Sequence, residues 1–138
     1  TFCEKFSLRF KAPYYNLQSL REEADFTEKQ IHVVLEAISK TGQNIVIEGG
    51  LDTENERNAV RKLLKICGYN PTLVWIQTDI NTIKARLKLK FRSVSRAKEE
   101  YESRIRMMEA PAESEKPIIL SGKHTFETQL SHVLSQLS

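Results

Sequence analysis

Four short runs with strand character punctuate the chain, and between them apolar residues recur every three or four positions. The runs are Pro13-Tyr-Tyr-Asn-Leu17, Asn44-Ile-Val-Ile-Glu48, Thr72-Leu-Val-Trp-Ile-Gln77 and Pro117-Ile-Ile-Leu-Ser121. Their length and β-branched or aromatic content predict strands. Phe2, Phe6 and Phe10, with Cys3 beside them, predict a helix over 1–10 that Pro13 stops. A short helical turn is expected over 18–24. Thr27-Glu-Lys-Gln30 reads as a capping box, announcing a helix whose apolar face is Ile31, Val34, Leu35 and Ile38 and which Gly42 ends. Thr53-Glu-Asn-Glu56 reads the same way, followed by Val60, Leu63, Leu64 and Cys67, with Gly68 and Pro71 at the exit. Asp79 suits the N-cap of a helix through Ile83 and Leu87. A weakly apolar helical stretch follows from Lys88, ending at Tyr101, Ile105 and Met108. Pro111 and Pro117 flank a polar linker. His124 or Thr125 caps a last helix through Phe126, Leu130, Val133, Leu134 and Leu137.

The order is therefore one helix, then four strands each followed by helix. The unbroken apolar run at 73–76 implies burial on both faces, and alternation of strand and helix implies a right-handed parallel α/β sheet. Trp75, mid-strand between Val74 and Ile76, is expected in the core.

The 138 residues suit one domain able to build a core without disulfides or metals. Hydrophobic content of 40% and charged content of 28% are those of a globular protein. No apolar run approaches the roughly 18 residues of a membrane span, and no signal peptide is visible, so no membrane partner and a cytoplasmic location are expected. Cys3 and Cys67 are isolated and read as reduced core thiols.

Charge changes the picture more than composition does. Nine basic residues lie between Lys84 and Arg106 against three acidic ones, while the whole chain carries only +3. A local surplus of this kind suits a polyanion such as a nucleotide phosphate. Few aromatics beyond Phe91 and Tyr101 interleave with it, which fits single-stranded nucleic acid less well.

The candidate chemistry centres on Glu48. An apolar run ends there in a carboxylate and two glycines, so the acid is delivered to the open edge of an α/β sheet. Parallel sheets bind ligands in the crevice at that edge.

Together these pieces resemble a P-loop kinase, and most of all the zeta-toxin-like or AAA-type ATP-binding predicted P-loop kinases. The resemblance spans almost the whole chain. It is carried by Ile118-Ile-Leu-Ser-Gly-Lys-His-Thr-Phe126 with Gln129, by Leu73-Val-Trp-Ile-Gln-Thr-Asp79 followed by Arg86, and by Ile45-Val-Ile-Glu48. It implies a three-layer P-loop NTPase-type parallel sheet, with four strands here, the central first strand missing, and a basic helical lid over 84–110. The activity implied is phosphoryl transfer from ATP with Mg2+, to a small molecule or a nucleic-acid end, achieved mostly by positioning and charge neutralisation.

By position, the resemblance gives Glu48 the task of holding a Mg-bound water. Arg86, Lys90 and Arg92 become lid cations, with Lys90 standing where the family has a bidentate arginine. Ser121, Gly122 and Lys123 flank the adenine. Gln18 and Arg21 fall on the acceptor side, where a D-x-x-R pattern supplies a base. Glutamine cannot accept that proton, which opens an alternative reading as a non-catalytic nucleotide- or RNA-binding module. No glycine precedes Gly42, so the phosphate-cradling G-x-x-x-x-G-K-[ST] loop is expected upstream, with Thr1 at or just past its hydroxyl position; the competing explanation is a product that lacks the loop and is a non-catalytic relic.

Overall fold

The computed structural model describes residues 1–77, 99, 102–103 and 108–137. They belong to two compact units, Thr1–Thr72 and Leu73–Ser138.

In the first unit, helix α1 (Phe2–Phe10) starts where Thr1 Oγ1 accepts the Glu4 N–H at 3.3 Å, and it stops at Lys11, whose φ of 51° is left-handed. The four-residue spacing stacks Phe6 against its neighbours, with ring centroids 5.7 Å from Phe2 and 4.6 Å from Phe10. Strand β1 (Tyr14–Asn16) runs directly into helix α2 (Leu17–Glu22), because the Asn16 side chain accepts the Ser19 N–H at 3.1 Å and caps the helix at once. Helix α3 (Glu28–Ser39) carries the expected capping box, with Thr27 and Gln30 satisfying each other's backbone N–H groups. Strand β2 (Val46–Glu48) and helix α4 (Glu54–Ile66), capped by Thr53, complete the unit.

β1 and β2 are parallel, pairing Tyr14 with Val46, Tyr15 with Ile47 and Asn16 with Glu48. A parallel pair needs a crossover, and α2 and α3 supply it. Side chains alternate between faces along each strand. Tyr15, Ile45 and Ile47 pack on a core of Leu17, Ile31, Leu35, Val60, Leu64 and Cys67, so α3 and α4 cover that face. Tyr14, Val46 and Glu48 belong to the opposite face, where α1 lies against both strands. Among the described residues, Leu17, Ile31 and Leu35 are the most completely enclosed side chains.

In the second unit, strand β3 (Val74–Gln77) pairs in parallel with strand β4 (Ile118–Ser121), which follows a 3-10 turn at Glu113–Glu115. Helix α5 (Phe126–Leu137) packs on β4, and Ile118, Leu120, Leu130 and Val133 are buried. Ile119 points the other way and is 48% exposed. Thr125, not His124, caps α5, accepting the Thr128 N–H at 3.3 Å.

The molecule is thus mixed α/β with parallel pairing. The expected single four-stranded ladder is not what the described residues form: β1 pairs with β2 and β3 with β4, in two separate two-stranded sheets. The strands are also shorter than the apolar runs, at three or four residues each. Most of the expected lid at 84–110, including Arg86, Lys90 and Arg92, lies outside the described residues, as does the expected cap Asp79.

Candidate functional site

Asn16 and Glu48 are register partners and the last residues of their strands. The carboxyl edge of the β1–β2 pair is therefore polar on the α1 side. A cleft of about 560 Å³ opens there, lined by Glu4, Tyr14, Asn16, Ser19, Glu23 and Glu48 among others. Its polar groups are oxygens and one amide; three of them are carboxylates, and among the described residues no Lys or Arg lines it.

Glu48 is held in that cleft by two donors. Tyr14, on the same face two residues back in register, donates its hydroxyl to Glu48 Oε1. The Cys3 thiol reaches it from α1 as a second donor. Burial is the main cause that pushes the Cys3 thiol from 9.0 up to about 12, and the charge of Glu48 and its hydrogen bond add to it. The Tyr14 phenol is raised too, by burial first and then by Glu48. Both groups stay protonated at neutral pH and so remain donors, and Cys3 is not a nucleophile there.

The two glycines after Glu48 serve the protein itself. Gly49 and Gly50 have φ of +78° and +68°, where a side chain is strained. A Cβ on Gly49 would overlap Asn16 Oδ1, and would stand 2.8 Å from Asn16 Cγ and 3.2 Å from the Gln18 N. A Cβ on Gly50 would stand 3.1 Å from Arg21 Nη1. The loop is thus pressed against the start of α2. From the other side, Arg57 of α4 is only 3% exposed and donates Nη1 to the carbonyls of Leu51 and Asp52, at 3.1 and 3.2 Å. Buried guanidinium and bare backbone together fix the turn that follows Glu48.

The remaining site candidates divide. Thr1 is spent on capping α1. Gln18 is exposed, and its amide lies 3.4 Å from Glu22. Arg21 grips Glu28 with Nε and Nη2, at 2.6 and 3.2 Å, and lines a different cleft from Glu48. The acceptor-side pair expected from the resemblance is therefore not gathered around the Glu48 carboxylate. In the second unit, Ser121, Gly122 and Lys123 form the turn leaving β4. Gly122 N–H donates to the Gln77 carbonyl at 2.7 Å, and the Lys123 N–H donates to Ser121 Oγ at 3.2 Å. The buried Gln129 amide, on α5, donates to the Ser121 carbonyl at 2.9 Å and fastens this turn to the helix.

Tyr14, Cys3, Asn16 and Arg57 carry the site's geometry, and the sequence reading did not single out any of them for it. One signal was present: Arg57 falls on the same helical face as Val60 and Leu64, three and seven residues on. An arginine on an apolar stripe is a buried charge with a partner to find. Among the described residues, no group of three or more His, Cys, Asp or Glu side chains is placed to hold a metal ion, and no helix is long and apolar enough to cross a membrane. No family model, curated protein or solved structure matches this chain.

Proposed function

We propose that the chain binds a nucleotide with Mg2+ at the carboxyl edge of its parallel strands, as an ATP-dependent phosphotransferase or ATPase of the P-loop kinase type. One observation carries this reading: Glu48 ends a strand of a parallel pair, inside a cleft of about 560 Å³, on a turn that Arg57 locks from behind. Ligand clefts at that edge of parallel sheets are a general property of α/β architecture.

The charge of the cleft decides which group meets it. Glu4, Glu23 and Glu48 would repel bare phosphates, so a hard divalent cation is the compatible neighbour. Mg2+ that arrives with phosphates keeps water and phosphate oxygens as most of its ligands, so one protein carboxylate suffices. When bound, it would neutralise charge on the transferring phosphoryl group. Tyr14 and Cys3 hold the Glu48 carboxylate in place and stay protonated while doing so.

The test is calorimetric titration of Mg-ATP into the full-length protein and into Glu48→Gln, which can still accept the Tyr14 hydroxyl. Saturable binding weakened at least tenfold by the substitution supports the reading; no binding of Mg-ATP, or equal binding by both proteins, removes it. A second reading, nucleotide or RNA binding without transfer, is favoured by Gln18 and Arg21. Their side chains are engaged with Glu22 and Glu28 rather than turned to the Glu48 cleft. Turnover with any acceptor excludes that second reading.

A further inference from the structure

A second cleft, also of about 560 Å³, runs between α3 and α4 and shares no described lining residue with the Glu48 cleft. Its floor is Val33, Ala59, Val60 and Leu63, and Val33 is 60% exposed although it sits on a surface helix. Its rim is Arg21, Glu28, Lys29 and His32. The one acid among those rim residues, Glu28, is already satisfied by the fork of Arg21. Lys29 then adds a positive charge beside an apolar trough, and His32 adds another when protonated, although Glu36 lies 3.2 Å from it. A trough with this lining disfavours a cation and does little for a fully polar anion, since its floor offers neither donor nor acceptor side chains.

We propose that the α3–α4 groove binds an amphiphilic anion, an alkyl or aryl chain ending in a carboxylate. The chain would lie over Val33, Ala59 and Leu63, and the carboxylate would meet Lys29. The volume falls within the roughly 300–1,000 Å³ range of small-molecule sites. The apolar body supplies the affinity and the rim charge selects the sign of the head group. This site stands apart from the nucleotide reading, since no residue of the Glu48 cleft takes part.

Dodecanoate is the probe, with dodecylammonium as its charge-reversed control, both titrated calorimetrically into the whole chain. Dodecanoate should bind at one site with Kd on the order of 0.1–1 mM, and dodecylammonium at least fivefold more weakly. Lys29→Glu should cost dodecanoate about fivefold or more and narrow or invert the preference. Ala59→Trp should fill the trough and abolish binding of both. Lys29 and Ala59 are exposed helix positions, so both variants should keep the parent's circular dichroism. Equal binding of the two amphiphiles, binding unmoved by either substitution, or no binding of dodecanoate would each overturn the proposal.

Discussion

Gly49→Ala should destabilise the first unit far more than an ordinary glycine substitution, and the reason is Asn16. Two costs combine at this position. A side chain at φ +78° is in the left-handed region, which costs about 1–2 kcal/mol for an L-residue. The new Cβ would also overlap Asn16 Oδ1 and stand 2.8 Å from its Cγ, so that side chain must leave. Its departure strips the N-cap of α2, worth about 0.5–2 kcal/mol. The total is about 1.5–4 kcal/mol, a large part of the roughly 5–15 kcal/mol that stabilises a domain. Gly42 is the internal control: its φ is +75°, but among the described residues nothing lies within 4 Å of its Cβ position. Gly42→Ala should therefore carry only the backbone cost. Urea denaturation followed by far-ultraviolet circular dichroism measures both. A double-mutant cycle isolates the clash: Asn16→Ala, harmful alone, should cost little or nothing in a chain that already carries Gly49→Ala. If the Gly49 and Gly42 variants agree within about 0.5 kcal/mol, or if the Asn16 and Gly49 effects simply add, the contact is not what demands glycine.

Other expectations follow from the same geometry. Arg57→Leu should destabilise the first unit by about 2–4 kcal/mol, because the Leu51 and Asp52 carbonyls lose a buried donor; faster hydrogen exchange across 49–53 would localise the effect. With its pKa near 12 rather than 9.0, Cys3 should carry about a thousandfold less thiolate than a free thiol at pH 8, and alkylate correspondingly slowly; Glu48→Gln should speed the reaction. The folded state keeps that proton while the unfolded chain loses it above 9.0, so the contribution of Cys3 to stability is complete below pH 9 and is lost as pH rises toward 12. Tyr14, raised from 10.0, acts in the same direction, and denaturation midpoints measured from pH 7 to 11 should fall on the alkaline side. Gln129→Ala should cost about 1–2 kcal/mol and loosen the 121–123 turn, read from exchange of the Gly122 amide.

What was legible in the sequence was local. The capping-box patterns at Thr27 and Thr53 announced α3 and α4 because a cap and its partner lie three residues apart; the reciprocal box forms at Thr27, while Thr53 caps α4 by accepting the Glu56 N–H. The apolar runs announced all four strands, and the spacing of Ile31 with Leu35 and of Val60 with Leu64 marked faces that are buried. What escaped was long-range. Tyr14 meets Glu48 across 34 positions, and only strand register brings them to one face. The glycine pair suggested a turn open to ligand, whereas Asn16 and Arg21 occupy the space above it. A glycine demanded by an approaching side chain and one demanded by a ligand look alike until the neighbour is known. Arg21, placed on the acceptor side by the resemblance, pairs with Glu28, seven residues on. The four strands were read as one sheet because parallel runs do not encode which neighbours hydrogen-bond; pairing is set by crossovers and register.

The claim on which the functional account rests is that Mg-nucleotide meets the protein at Glu48. Backbone amide shifts of isotope-labelled full-length protein, recorded by NMR while a non-hydrolysable Mg-ATP analogue is added, locate that contact directly. Saturable shifts centred on Tyr14, Asn16 and 48–50, absent from Glu48→Gln at the same nucleotide concentration, are the expected result. Saturable shifts elsewhere that leave 48–50 unmoved would contradict it.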